Sequence, residues 1–236
     1  ISGEIVFKLY DTYGFPVDMT ADFARERNLT IDEDTYDVLM QKQKERARSS
    51  SNFNSIIPES LDIRGKTDFL GYESYSSTSN VIEIISNSSS QEEINEGEEA
   101  LILLDQTPFY AESGGQVGDT GLIKSNNSIF EVYDTQKKGD HFLHLGQVKS
   151  GSIKKSDSVV AEINSEQRNR IKGNHSATHL LHAALREVLG DHVEQKGSLV
   201  EESRLRFDFA HNSSIDTEDI LAIEDLINVE IKKNSE

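Results

Sequence analysis

Ile129-Phe130-Glu131-Val132-Tyr133 and His141-Phe142-Leu143-His144-Leu145 are two short runs of β-branched, aromatic and aliphatic residues with a polar segment between them. Runs of this kind read as strands of about 4–6 residues. Working outward, Val81-Ile82-Glu83-Ile84-Ile85, Glu99-Ala100-Leu101-Ile102-Leu103-Leu104, Gly121-Leu122-Ile123 and Ser158-Val159-Val160-Ala161-Glu162 repeat the form. Several short strands joined by polar turns predict a small barrel or sandwich. The pattern on both sides is helical. The expected fold class is therefore α+β: a helical lead-in over 1–50, a small β-barrel over 51–162, and an α+β core over 163–236.

In the lead-in, Pro16 after Gly14-Phe15 marks a turn. Residues 18–27 form a short helix ending near Asn28. Thr30 or Asp32 caps a second helix with Tyr36, Leu39 and Met40 turned inward. That helix runs out through 41–48 as a solvated face, and Ser49-Ser50-Ser51-Asn52 reads as a linker. Residues 86–97 are polar and acidic and read as a mobile loop. Past Ser165 the helical period returns over 167–189, stopped by Gly190. Residues 193–200 and 204–209 read as strands, the second with Leu205, Phe207 and Phe209 facing a core. Asp216 or Thr217 caps a last helix whose apolar face is Ile220, Ile223, Leu226, Ile227 and Ile231.

At 236 residues the chain can bury a sizeable core. Its mean hydropathy of -0.54 points to modules with long polar connections. No run approaches the ~18 apolar residues of a membrane span, and the start lacks a secretory apolar region. The first residue falls in mid-pattern and the last follows a helical segment, so both ends are expected to be cuts in a larger protein. The absence of cysteine excludes a disulfide framework and fits a reducing compartment. A formal net charge of -18 argues against unaided nucleic-acid binding. Six acids and no base lie between Glu83 and Glu99, and again between Asp216 and Glu230. Between Ser165 and His211, seven Lys and Arg balance seven Asp and Glu. An anionic substrate is not repelled from that neutral stretch.

It contains His175-Ser176-Ala177-Thr178-His179. Imidazoles four residues apart share a helix face, with about 5–6 Å between Cβ atoms, so both can reach one ion. Zinc accepts His nitrogen and usually takes four ligands, which makes this half a metal site. A zinc protease would carry Glu after the first His; Ser176 stands there, so that class is disfavoured. Leu180, Leu181, Ala184, Leu185 and Val188 form an apolar stripe that would seat the helix. Ordinary packing histidines are the simpler alternative.

Glu112-Ser113-Gly114-Gly115-Gln116-Val117-Gly118-Asp119-Thr120-Gly121 is either a pair of hairpin turns or a loop whose backbone lines a ligand. Gly114, Gly115 and Gln116 are the substrate-loop candidates. Gly-Gly-Gln also occurs in peptide release factors, but no other part of that pattern is present.

Taken together, these segments resemble the alanyl-tRNA synthetases. Leu9-Tyr10-Asp11-Thr12-Tyr13-Gly14-Phe15-Pro16, with Met40-Gln41 and Arg46-Ala47-Arg48, is similar to that family's junction after the aminoacylation domain. Residues 110–121 are similar to its glycine-rich barrel motif. Residues 175–185 and Gln195-Lys196-Gly197-Ser198-Leu199-Val200 are similar to its editing core. Residues 49–102 carry little of the likeness.

The resemblance implies a ligase whose editing region hydrolyses Ser-tRNA(Ala) and Gly-tRNA(Ala), because a pocket built for alanine rejects glycine and serine poorly. It implies catalytic-site roles for His175, His179, Thr178 and Gln195, with His175 and His179 as metal ligands. Thr178 and Gln195 would recognise serine. The other two zinc ligands, a Cys and a His of a CxxxH motif, are expected beyond Glu236. ATP and magnesium would serve an aminoacylation domain outside this chain. The implied partner is tRNA(Ala) and the implied location cytoplasmic, with no membrane contact. A threonyl synthetase editing domain should lack the Gly-Gly-Gln barrel, and a free-standing alanine-type editing hydrolase should lack the helical lead-in. A non-catalytic tRNA- or protein-binding module is the alternative of another kind. With two of four ligands present, the 236-residue chain should bind zinc weakly or not at all. Stoichiometric zinc surviving mild chelation, read by metal analysis of the purified chain, would contradict this.

Overall fold

Strand pairing organises the middle of this chain in sequence, with helices toward both of its ends. The computed structural model describes residues 1–27, 29–40 and 66–233. Contacts divide the chain into two units, Ile1–Leu61 and Asp62–Glu236.

The first unit contains α1 (Gly3–Tyr13), α2 (Val17–Glu26) and the helical residues 33–40, α3. Gly14 ends α1 in the left-handed region at φ 64°, where glycine carries no Cβ penalty. Pro16 sits at the start of α2, where a missing N–H costs little. Asp32 caps α3 by accepting from the Thr35 N–H at 3.0 Å, and this bond lowers its carboxyl pKa. Val6, Ala24 and Tyr36 are buried, with Tyr10 edge-on to Tyr36 at 6.2 Å. Leu39 and Met40 are half-buried. The predicted helix boundary at Asn28, the helical run-out over 41–48 and the linker at 49–52 lie outside the described residues.

In the second unit the strands are, in chain order, β1 (Asp68–Phe69), β2 (Ser76–Ser86), β3 (Ser89–Ser90), β4 (Glu93–Asn95), β5 (Glu99–Leu104) and β6 (Gln106–Thr107). They continue with β7 (Gly121–Lys124), β8 (Ile129–Lys138), β9 (His141–Ser150), β10 (Ser152–Lys154) and β11 (Ser158–Ile163). Strands β2, β5, β9, β8, β7 and β11 pair in that order, all antiparallel, and β11 returns to pair with β2. The result is a closed six-stranded barrel, which removes the exposed strand edges that invite aggregation. Ile84, Ile102, Leu104, Phe109, Ile123, Phe130, Val148 and Val159 fill its core.

The predicted barrel is present, β8 and β9 each extend past their predicted runs to ten residues, and two further details differ. Strand β2 begins at Ser76, five residues ahead of the apolar run, because the polar Ser76–Asn80 segment pairs with β11 and closes the barrel. The segment 86–97 is not the expected loose loop. Strand β3 folds back on β2, β4 pairs with β10, and Ile94 is 1% exposed in the barrel core. One buried isoleucine anchors an otherwise acidic stretch.

The rest of the unit is α4 (Ser165–Leu189), the hairpin of β12 (Glu194–Val200) and β13 (Leu205–Ala210), and α5 (Thr217–Lys233). Asn164 caps α4 by accepting from the Gln167 N–H at 3.1 Å. Asp216 caps α5 in the same way through the Asp219 N–H. Ala184, Leu185, Val193 and Ile223 form a small core flanked by Leu181, Val188, Phe207, Phe209, Leu226 and Ile227. The expected apolar face of α5 is narrower than read: α4 and the hairpin reach its middle, leaving Ile220 and Ile231 exposed. Among the described residues no helix is long and apolar enough to cross a membrane.

Among the described polar side chains wholly buried in the barrel wall, one is titratable. His144 has 0% exposure, and its Nδ1–H donates to the Ile102 carbonyl at 2.8 Å. Its Nε2 accepts from the Thr107 hydroxyl at 2.8 Å. Burial pulls its pKa down to about 4. The unfolded state therefore binds a proton that the native state does not between about pH 6.5 and 4. Stability is full above that window and falls as pH drops through it, by on the order of 3 kcal/mol. Urea midpoints between pH 7 and 4.5 should show this slope, and His144→Leu, though less stable at pH 7, should flatten it.

Candidate functional site

Asp119 and Arg168 are 3% and 7% exposed by side chain and form an ion pair between the glycine-rich loop and the first turn of α4. Arg168 Nε donates to both Asp119 oxygens, at 2.9 and 3.0 Å, and Nη2 also reaches Oδ2. Nη1 donates to the Gly71 carbonyl at 2.9 Å and Nη2 also to the Pro108 carbonyl at 3.0 Å. Asp119 also accepts from the Tyr110 N–H at 2.8 Å. A buried pair this fully hydrogen-bonded fixes loop, barrel and helix in one register. The Thr120 hydroxyl adds a bond to Gln167 one residue earlier on the helix.

The loop itself turns through Gly114 and Gly115, at φ 59° and 85°. Ser113 and Gln116 bond to each other across the turn. A Cβ at Gly115 would collide with the Ser198 carbonyl and hydroxyl of β12, so both conformation and contact demand glycine. The Val200 N–H donates to the Gly115 carbonyl at 2.7 Å, and the Val117 N–H to the Val200 carbonyl at 3.2 Å. Of the two readings of this loop, the tight turn is present, and it also seats backbone against the hairpin.

This docking brings Gln116 to the histidine helix. Its carbonyl Oε1 lies 2.7 Å from His175 Nδ1. A carbonyl oxygen only accepts, so Nδ1 carries a proton, and in the neutral ring Nε2 keeps a free lone pair. The two residues line a cavity of about 680 Å³ together with Gly71, Tyr72, Tyr75, Tyr110, Arg168, Lys172 and Ser176, among others.

The other predicted residues sit nearby in sequence but differ in setting. His179 is exposed, its ring centroid 5.0 Å from that of His175. Thr178 is 8% exposed and donates its hydroxyl proton to the Asn174 carbonyl at 2.8 Å, so it retains only acceptor capacity. Gln195 is exposed on β12, beside the bulge at Lys196. Thr178, His179 and Gln195 are not among the described residues lining the cavity. A carbonyl-backed imidazole with a free Nε2 suits the zinc that the sequence resemblance implies. Among the described residues no third His, Cys, Asp or Glu joins the pair, so two of four positions have donors.

Sequence reasoning missed Asp119, Arg168 and Lys172. A signal for Arg168 was available. Arg168, Ile171, His175, Thr178, His182 and Leu185 recur at helical spacing, and the first two are 6% and 0% exposed. An arginine on an inward stripe of an otherwise polar helix start calls for a buried carboxylate.

The family described as tRNA synthetases class II (A) matches residues 1–167, and the chain belongs to it. Over 236 residues the chain is 50% identical to the alanine–tRNA ligase of Pseudomonas syringae pv. syringae. It is 51% identical over 235 residues to that of Pseudomonas syringae pv. tomato, and 49% over 235 to that of Pseudomonas fluorescens. Each alignment covers 100% of this chain, which spans 27% of each relative's length.

Removing one partner of the Asp119–Arg168 pair leaves a buried charge uncompensated. Arg168→Met should lower unfolding free energy by about 3–5 kcal/mol. Combining it with Asp119→Asn should recover part of that loss, as urea denaturation of the single and double variants would register.

Proposed function

We propose that this chain is part of an alanine–tRNA ligase and carries the barrel and histidine helix of its editing region. In this reading the longer protein hydrolyses Ser-tRNA(Ala) and Gly-tRNA(Ala) and spares Ala-tRNA(Ala). The observation that carries it is the Gln116–His175 bond of 2.7 Å at the wall of a 680 Å³ cavity. It orients one imidazole nitrogen of a helical His pair from a second element, the glycine-rich loop. The identities near 50% to alanine–tRNA ligases add support.

His175 and His179 would hold a zinc ion whose further ligands come from outside these 236 residues, and that ion would supply positive charge near the reacting ester. Gln116 keeps the His175 imidazole in one tautomer and one orientation. Thr178 offers an acceptor to a substrate hydroxyl, and Gln195, exposed on the hairpin beside its bulge, can both donate and accept. Aminoacylation, with its ATP and magnesium, belongs to the remaining part of the ligase, and tRNA(Ala) is the shared partner of both activities. The proposed location is the cytoplasm.

In the full-length ligase, His179→Ala should abolish deacylation of both mischarged tRNAs while leaving aminoacylation largely intact. Gln195→Ala should weaken the preference for serine over alanine by up to about tenfold, the worth of one hydrogen bond, and affect glycine removal less. Deacylation of labelled Ser-, Gly- and Ala-tRNA(Ala) measures both. A His179→Ala enzyme that clears Ser-tRNA(Ala) at the unmutated rate would overturn the assignment and leave the helix a binding or packing element.

A further inference from the structure

The cavity that ends at His175 is far larger than a seryl group needs, and its composition is unusual for so acidic a protein. Tyr72, Tyr75 and Tyr110 contribute aromatic surface to it. Tyr72 is 87% exposed, which is uncommon for so large a ring on a chain with a well-filled core. Its ring is held edge-on to Phe69 at 5.0 Å, so one face stays available. Tyr75 is oriented by its hydroxyl, which donates to Asn169 Oδ1 of α4 at 2.8 Å. Lys172 lies one helical turn before His175–Ser176 on the cavity wall. Among the described residues it has no ion pair, whereas Arg168 beside it is consumed by Asp119. Glu73 is the one carboxylate among the described lining residues. A second cavity of about 400 Å³ shares Tyr72 and Tyr110 and adds Phe69, Phe142 and Lys137, with Lys66 there paired to Asp68 at 2.8 Å and Asp140 also on its wall. The aromatic surface therefore continues away from His175 rather than stopping at a closed wall.

Exposed aromatic faces interleaved with lysines are the means by which proteins hold single-stranded nucleic acid: bases stack, and phosphates meet the cations. We infer that the unpaired 3′ strand of the aminoacylated tRNA lies across Tyr72 and Tyr75, with a backbone phosphate on Lys172 and the terminal ester directed toward His175. This rests on the editing reading and extends it by assigning a strand-binding subsite. The local arrangement also resolves the charge problem: the net charge of -18 repels a polyanion at long range, while Lys172 and the tyrosines act at contact. Lys172 and Tyr72 are positioning residues, acting on KM and not on the ester itself.

The test uses the full-length ligase with Ser-tRNA(Ala), and with tRNA(Ala) bearing 8-azidoadenosine at its 3′ end for crosslinking. Lys172→Ala should raise the deacylation KM about fivefold to tenfold with kcat retained, and flatten the salt dependence by roughly 0.7 in log–log slope, the value for one phosphate contact on a single strand. Lys172→Arg should restore both. Tyr72→Ala should raise KM similarly, and Tyr72→Phe should not, because the stacking face is kept. Within this chain the crosslink should map to the peptide holding Tyr72 and Tyr75. Unchanged KM and salt slope in Lys172→Ala and Tyr72→Ala, with hydrolysis intact, would overturn the subsite. Crosslinking to that peptide by an enzyme that hydrolyses neither mischarged tRNA would support the subsite and sink the editing reading instead.

Discussion

A guanidinium and a carboxylate, both withdrawn from water, join the two halves of the second unit. Burying Asp119 and Arg168 would be unfavourable by several kcal/mol for each ion if either lacked partners. Here each of the three guanidinium nitrogens of Arg168 has an acceptor among the two carboxylate oxygens and the Gly71 and Pro108 carbonyls. Those acceptors lie in three separate places: Gly71 between β1 and β2, Pro108 just ahead of the glycine-rich loop, and Asp119 near its end. The pair is therefore less a source of stability than a device of registry. It allows one placement of α4 against the barrel, and with it one placement of His175 against Gln116.

The glycines follow from the same constraint. Once α4 and the hairpin are set, the loop must pass close to Ser198, and only a residue without Cβ fits at position 115. Gln116 then points at His175 because Ser113 and Gln116 close the turn, and Val117 and Gly115 bond to Val200. The ring nitrogen available for chemistry is thus chosen by a turn 59 residues away in sequence. A substitution far from the histidines, at Gly115 or Asp119, acts on them through this chain of contacts.

How much of this was legible before the structure varied with the physical origin of each feature. Apolar runs such as 99–104 and 129–133 announce strands because burial selects them directly. Caps such as Asp32 and Asp216 are legible because their chemistry is local. Strand Ser76–Asn80 was not, since its stability comes from pairing with β11 and its side chains are polar. Ile94, a lone apolar residue among acids, gave no period to read. The helix pair His175 and His179 was visible by spacing, but the partner that fixes the His175 tautomer was not, because a hydrogen bond across 59 residues leaves no local trace. The tyrosine–lysine wall was hidden for the same reason, being assembled from segments near residues 72, 110 and 172.

On the proposed reading, size alone cannot explain which ester is removed. Serine is larger than alanine and glycine is smaller, yet both would be hydrolysed and alanine spared. A purely steric pocket that admits serine also admits alanine. Hydrogen bonding reverses the order. The Thr178 hydroxyl proton is held by Asn174, so toward a substrate that reaches it the side chain can act only as an acceptor. A seryl hydroxyl can donate to it. A glycyl ester leaves room for a water that donates in its place, at little penalty. An alanyl methyl displaces that water and supplies no donor, leaving an acceptor that is 8% exposed without a partner. The unsatisfied group is unfavourable by about 1–3 kcal/mol, enough for roughly tenfold or more in rate, and it falls on alanine alone. On this reading the backbone-tied Thr178 hydroxyl supplies the part of the selectivity that turns against the middle-sized substrate, beside the hydrogen bonds that Gln195 would make.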